Sequence, residues 1–229
     1  MTAADPRLQT AFIFDLDGTL VDSVYQHVLA WREALEIEGI ELSVWRIHRK
    51  IGMSGGLFTN MLLRETGAAL NPERIERLQR LHAEAYKRYS PQVRPLPGAR
   101  ELLAALTSAG IPWAIATSGR IDTAGPVIER LGVDLARTPV VTRDAVRHAK
   151  PEPDLFLTAA DRLGVNIEIA SVVGDSVWDM LAARRARALG IGLLSGGYGL
   201  EELERAGAYR VYEDPADLLN HLDEVGGRR

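Results

Sequence analysis

The sequence predicts an α/β protein, a parallel sheet with helices on both faces, interrupted by an inserted all-helical unit. Three observations lead there. Short apolar runs alternate with longer stretches of helical period. Several of these runs are followed at once by Asp, Gly, Thr or Ser, where the carboxyl end of a parallel strand would place ligand-binding residues. Roughly 100 residues separate the first run from the second, far more than one crossover helix needs.

The first strand is "AFIF", Ala11 to Phe14. Beyond it, Ser23 is suited to cap a helix that carries Val24, Val28, Trp31 and Leu35 on one face. A shorter helical segment covers Leu57 to Glu65. Asn71 followed by Pro72 opens another, with Ile75, Leu78, His82, Ala85 and Tyr89 in step. The three prolines of "PQVRPLPG" then stop helix propagation. Residues 24–92 therefore form the insertion, and 1–23 with 93–229 form the core. In the core, Leu102, Leu103 and Leu106 mark a helix from Arg100 to Ala109 that Gly110 ends. Strands follow at Trp113 to Thr117, Pro139 to Val141, Ser171 to Val173, Ile191 to Leu194 and Tyr209 to Tyr212. Helices lie at Asp122 to Leu131, Asp154 to Leu163 and Val177 to Ala188. The closing "GGRR" reads as a frayed end.

Composition excludes several chemistries. The 229 residues contain no cysteine, so disulfides, thiolate nucleophiles and thiolate-ligated zinc or iron–sulfur sites are absent. With 27 Lys and Arg against 31 Asp and Glu, the formal charge is −4, which argues against a nucleic-acid partner. The N-terminus shows no secretory pattern, and no run reaches the ~18 apolar residues of a membrane span. A cytoplasmic protein without a membrane partner is expected; its oligomeric state is open, with a monomer favoured. "GLLSGGYG" does not match GxGxxG, and P-loop, HExxH and GxSxG motifs are missing.

The strand ends supply the chemistry. After "AFIF" stand Asp15 and Asp17 in "DLDGT"; after "WAIA" stand Thr117, Ser118 and Gly119; after "SVV" stand Asp175 and Asp179 in "GDSVWD". Lys150 opens "KPEPD" before a further helix. At ~4 Å and an effective dielectric of about 20, one pair of carboxylates repels by roughly 4 kcal/mol, so several together call for a cation. Oxygen-only ligands select a hard ion, and Mg2+ uses few carboxylates and keeps room for phosphate oxygens. Asp15 then reads as a nucleophile that forms an aspartyl-phosphate. Asp17 would protonate the leaving group and deprotonate the attacking water. Thr117, the Ser118 N–H and Lys150 would hold phosphoryl oxygens. Asp15, Asp17 and Asp175 are the expected metal ligands, with Asp179 orienting the ion or its water.

"DLDGT", the strand ending in Thr117, "KPEPD" and "GDSVWD" stand in the order that marks the haloacid dehalogenase superfamily, which this chain resembles from Ala11 to about Gly199. The resemblance implies a Rossmann-like core, Mg2+, an aspartyl-phosphate intermediate and a helical cap inserted where 24–92 lie. Asp17, which the name-giving dehalogenases lack, favours phosphate ester chemistry. The resemblance thus implies a phosphatase of small phosphorylated metabolites, a sugar phosphate or a phosphoglycolate-like compound. A β-phosphoglucomutase-like phosphomutase is the alternative, and a receiver-like phospho-switch a more distant one.

"VYQHVLAW" is similar to the start of the cap in the sugar-phosphate branch, which would bring His27 near the leaving group. His27 could equally be an ordinary residue of an amphipathic face. The mutases resembled here have Lys before, and Arg three residues after, the glycine of the cap's specificity loop; this chain has Ile51 before Gly52, and Gly55. Arg49 and Lys50 could stand in for those cations as substrate-binding residues, or "RIHRK" could be a solvated face. His82 reads as helix packing; His48, His148 and His221 read as solvated.

Overall fold

The computed structural model describes residues 10–67 and 71–227. Six parallel strands, β1 (Ala11–Phe14), β4 (Trp113–Ala116), β5 (Val140–Val141), β6 (Ala170–Gly174), β7 (Leu189–Leu193) and β8 (Ala208–Tyr212), form one sheet in the order β5-β4-β1-β6-β7-β8. β1 lies inside it, with Phe12 opposite Trp113 on one side and opposite Ser171 on the other. Its four residues are buried, as expected of a central parallel strand whose two faces are both covered.

The pleat divides the core. Phe12 and Phe14 point to a cluster with Leu102, Leu106, Ile128 and Leu131, from α5 (Ala99–Ser108) and α6 (Ile121–Leu131). Ala11 and Ile13 point to the opposite cluster with Leu155, Phe156, Ala182 and Ala183, from α7 (Asp154–Leu163) and α8 (Val177–Ala186). α9 (Leu200–Ala206) and α10 (Pro215–Asn220), which the periodicity had not singled out, flank the last strands. β5 and β8 are the edge strands, and the exposed Arg210 of β8 suits an unpaired edge.

Between β2 (Val21–Asp22) and β3 (Arg94–Pro95) lie α1 (Val24–Ile37), α2 (Val44–His48), α3 (Gly55–Thr66) and α4 (Pro72–Tyr89). β2 and β3 pair antiparallel, so the chain enters and leaves the helical unit through adjacent strands. The four helices enclose their own apolar cluster, including Val28, Trp31, Leu35, Phe58, Leu62 and Leu78. Asn71 accepts from the Arg74 N–H at 2.7 Å with Pro72 in the first turn, as expected.

Ser23 corrects its expectation. It precedes α1, but its hydroxyl makes no capping bond and is donated to Asp17 instead, because an ionised carboxylate is the stronger acceptor. α2 was not foreseen, and α3 starts two residues earlier than its apolar residues suggested, because Ser54 caps it. The expected fraying is also corrected for Gly226 and Gly227: the Gly227 N–H donates to the Leu222 carbonyl at 2.8 Å. Arg228 and Arg229 lie outside the described residues. Among the described residues no helix is long and apolar enough to cross a membrane.

Candidate active site

Asp15 follows β1 and Asp175 follows β6, so the pairing of these neighbouring strands brings two sequence-distant carboxylates together at the carboxyl edge of the sheet. Asp179 joins them from the first turn of α8. There it closes a capping box with Ser176, whose N–H donates to Asp179 Oδ2 at 3.1 Å. Asp15, Asp175 and Asp179 each offer an oxygen within 4.8 Å of the others. Thr19 donates its hydroxyl to Asp175 at 2.8 Å.

Two glycines admit this crowding. A Cβ on Gly196 would lie 1.8 Å from Asp175 Oδ2. Gly18 adopts φ +86, and a Cβ there would meet the same oxygen at 2.5 Å.

Lys150 is fully buried and pairs with Asp15, while its Nζ lies 2.8 Å from Asp179 Oδ1. Sequence reading put this ammonium on phosphoryl oxygens; the structure puts it on the nucleophile candidate and off the cavity wall. Burial and the charges of Asp179 and Asp17 push the Asp15 carboxyl up to about 7, against the pull of Lys150. Burial, then Asp179 and Asp15, raise Asp175 well above the usual carboxylate range. Burial opposes the charge on Lys150, but Asp15 and Asp179 outweigh it and raise its pKa.

One ammonium against three carboxylates leaves an excess of two negative charges when all are ionised. A hard divalent cation answers this excess, and all three groups offer carboxylate oxygens, so the residues present fit one.

The expected ligand set is corrected at one position. The Asp17 carboxylate is not part of this cluster, because Ser23 Oγ donates to its Oδ1 at 2.6 Å and His27 Nε2 at 3.2 Å. Thr117 Oγ1 lies 3.5 Å from the other oxygen. Burial works to raise the Asp17 pKa, but His27 and the bonds from His27 and Ser23 hold it below the ordinary value. Asp17 thus faces the helical unit, and Asp179 takes the place expected of it in the acidic cluster.

A cavity of about 210 Å³ opens between the strand ends and the helical unit. Asp15, Asp17, Thr117, Ser118 and Gly119 line it from the core; His27, Trp31, Lys50, Phe58, Gln79 and His82 line it from α1, the α2–α3 loop, α3 and α4. The Gly119 N–H donates to Thr117 Oγ1 at 3.0 Å and Ser118 Oγ to the Gly52 carbonyl at 3.1 Å, so Ser118 touches the helical unit across the cleft.

His82, read from sequence as packing, both packs and hydrogen-bonds. Its Nε2 lies 3.2 Å from His27 Nδ1, and its ring stacks on Trp31 at 4.2 Å. Burial, then the nearby His27, lowers its pKa well below the usual histidine value and keeps it neutral. The available signal was a polar residue on an otherwise apolar helix stripe.

The basic stretch divides. Lys50 lines the cavity, but its ammonium pairs with Glu65 at 2.8 Å. Arg49 does not line it. Its guanidinium pairs with Glu202 and covers the Tyr198 ring, while its carbonyl accepts from Tyr198 at 2.8 Å. Arg49 is therefore corrected from a substrate-binding residue to a clasp between the helical unit and α9. His48 is corrected too, since its Nε2 donates to the Gly196 carbonyl at 2.8 Å. His148 is exposed as expected, whereas His221 stacks on Tyr212.

Comparison with known proteins adds to this geometry. A family model described as haloacid dehalogenase-like hydrolase matches residues 9–187. The chain is 34% identical over 177 residues to hexitol phosphatase A of Escherichia coli, covering 76% of this chain and 78% of that one. It is 31% identical over 229 residues to phosphoglycolate phosphatase of Rhodospirillum rubrum, covering 96% and 94%. A crystal structure of a hydrolase from Pseudomonas syringae superposes with TM-score 0.93 at 60% identity, covering 95% of this chain and 99% of that one.

Proposed function

Because this chain belongs to the haloacid dehalogenase-like hydrolase family, we propose that it is a Mg2+-dependent phosphatase of small phosphorylated metabolites that works through an aspartyl-phosphate on Asp15. The observation that carries the reading is the pairing of two differently held acids at one strand end. Asp15 sits in the acidic cluster against Lys150, and Asp17 is turned to the cavity and held by Ser23 and His27. Residues 24–92 serve as the cap that covers the substrate.

Asp15 and Asp175, with Asp179 beside them, would hold the Mg2+, which when bound supplies positive charge to a phosphoryl group and favours the ionised nucleophile. A carboxylate oxygen of Asp15 attacks phosphorus, and the bond from phosphorus to the ester oxygen breaks. Asp17, once it has taken up a proton through His27 Nε2 or from solvent, gives it to that oxygen and then takes one from the water that hydrolyses the acyl phosphate. Lys150 fixes the Asp15 carboxylate and offsets its burial. Thr117, Ser118 and Gly119 line the phosphoryl end of the cavity.

The phosphomutase alternative loses support here. It needs a free cation in the cap for a second phosphate, yet Arg49 is held by Glu202 and Lys50 by Glu65. The test is inorganic phosphate release from a panel of phosphate monoesters with Mg2+, by wild type and Asp15→Asn. The variant is expected to be inactive; turnover comparable to wild type would refute the covalent route. Isomerisation of a sugar 1-phosphate without phosphate release would favour the mutase.

A further inference from the structure

Away from Asp15, Asp17 and Arg143, the Lys, Arg and Asp side chains on the cavity wall are already ion-paired. Lys50 pairs with Glu65 at 2.8 Å, Arg120 with Asp144 at 3.1 Å and Asp122 with Lys87 at 3.4 Å. Arg143, on the core side, donates to the Val146 carbonyl at 2.6 Å. The cap contributes apolar side chains, Trp31, Met53 and Phe58 among them, and one carboxamide, Gln79. Gln79 is half-buried, and its side chain has no hydrogen-bond partner among the described residues.

Next to it α3 begins with two glycines on the wall. A Cβ on Gly55 would lie 3.8 Å from the Trp31 ring and 4.0 Å from Gln79; one on Gly56 would lie 3.7 Å from Gln79 Nε2. The bare backbone therefore leaves a recess between an indole edge and an amide that has no partner among the described residues.

We propose that this recess receives the leaving group and selects an uncharged, hydroxyl-bearing one, a polyol or sugar, over one that carries a carboxylate, with Gln79 as the specificity-determining residue. The inference rests on the phosphatase reading above and goes beyond it by naming the substrate class. An amide both donates and accepts, so it satisfies a hydroxyl in either sense. A carboxylate placed here gains no free cation from the cap and is desolvated against Trp31 and Phe58, which is costly for a charge. Ser54 takes the Leu57 and Phe58 N–H groups of the first turn of α3, whereas those of Gly55 and Gly56 have no helical acceptor and can serve hydroxyl oxygens as well.

The experiment measures kcat and KM with Mg2+ for sorbitol 6-phosphate, 2-phosphoglycolate and, as a small reference, acetyl phosphate. Sorbitol 6-phosphate is expected to exceed 2-phosphoglycolate in kcat/KM by at least ~10-fold. Gln79→Ala should lower the ratio of kcat/KM for sorbitol 6-phosphate to that for acetyl phosphate by about tenfold, mainly through KM. Gln79→Lys, which adds a free cation on a half-exposed helix face, should shift preference toward 2-phosphoglycolate, a gain that misfolding cannot produce.

Preference of the wild type for 2-phosphoglycolate, lost in Arg143→Ala, would overturn the proposal and give the recess to an anion. Ratios unmoved by either Gln79 substitution would overturn it as well. Turnover of acetyl phosphate alone would refute the recess assignment and leave the phosphatase reading standing, whereas turnover of none of the three would remove that reading and the proposal with it.

Discussion

Lys150→Met tests how the acidic cluster is held together. The substitution keeps an unbranched side chain of similar length and removes the ammonium that pairs with Asp15 and Asp179 at a fully buried position. Breaking a buried pair from one side costs about 3–5 kcal/mol, and about 2–4 °C of Tm accompanies each kcal/mol in a chain of this length, so a loss of about 6–20 °C is expected. The loss should depend on pH. Three carboxylates without their cation take up protons, so the deficit relative to wild type is largest near pH 8 and shrinks toward pH 5. The assay is thermal unfolding followed by circular dichroism in EDTA at both pH values, repeated with Mg2+. Saturating Mg2+ should restore part of the lost Tm at pH 8, since it supplies positive charge to the same cluster. An equal Tm loss at pH 5 and pH 8 would refute the electrostatic account and leave only a packing defect.

Three further outcomes follow from the same geometry. Asp17→Asn should reduce phosphate release by at least ~10²-fold while Mg2+-induced stabilisation persists, because its carboxylate lies outside the metal-fitting cluster; loss of that stabilisation would return Asp17 to the ligand set. Asp15 is raised to about 7 and Asp175 is raised too, so the metal-free folded state binds protons more tightly than the unfolded chain. That stability is complete below the unfolded value of 3.8 and is lost as pH rises past about 7, so Tm in EDTA should fall across this window while the Tm gain from Mg2+ grows; a flat profile would contradict it. Arg49→Ala should cost no more than ~1 kcal/mol of stability, as its ion pair is partly exposed, and should shift KM for a phosphate ester less than about threefold; a tenfold rise in KM would reinstate Arg49 as a substrate contact.

Much of the fold was legible because its signals are local. The apolar runs mark five of the six sheet strands within one residue, and Asn71 with Pro72 marks the start of α4. β7 begins at Leu189, two residues before its apolar run, through pairing with β6 that no local pattern records. The short helices α2 and α10 carry too few residues for a period to emerge. Single side chains were less legible than elements. Ser23 has the sequence context of a helix cap, yet its hydroxyl is donated to Asp17. Arg49 and Lys50 are neighbours in sequence but part company in space, one to Glu202 on α9 and the other to Glu65 on α3.

The order of strand-end residues was enough to bring Asp15, Asp17, Thr117, Lys150 and Asp175 to one edge of a parallel sheet, because strand polarity is a property of connectivity. The spacing of Asp175 and Asp179 across one helical turn was equally plain. Only the tertiary structure decided which carboxylates converge. Asp17 turns to His27 on the cap and to Ser23, the last core residue before it, whereas Asp179 turns to Lys150. Only the packing of α1 against α4 stacked His82 on Trp31 and set its Nε2 beside His27. The physical reason is one of range. Propensity and periodicity act over a few residues, while charge pairing and desolvation depend on partners that the chain meets only once folded.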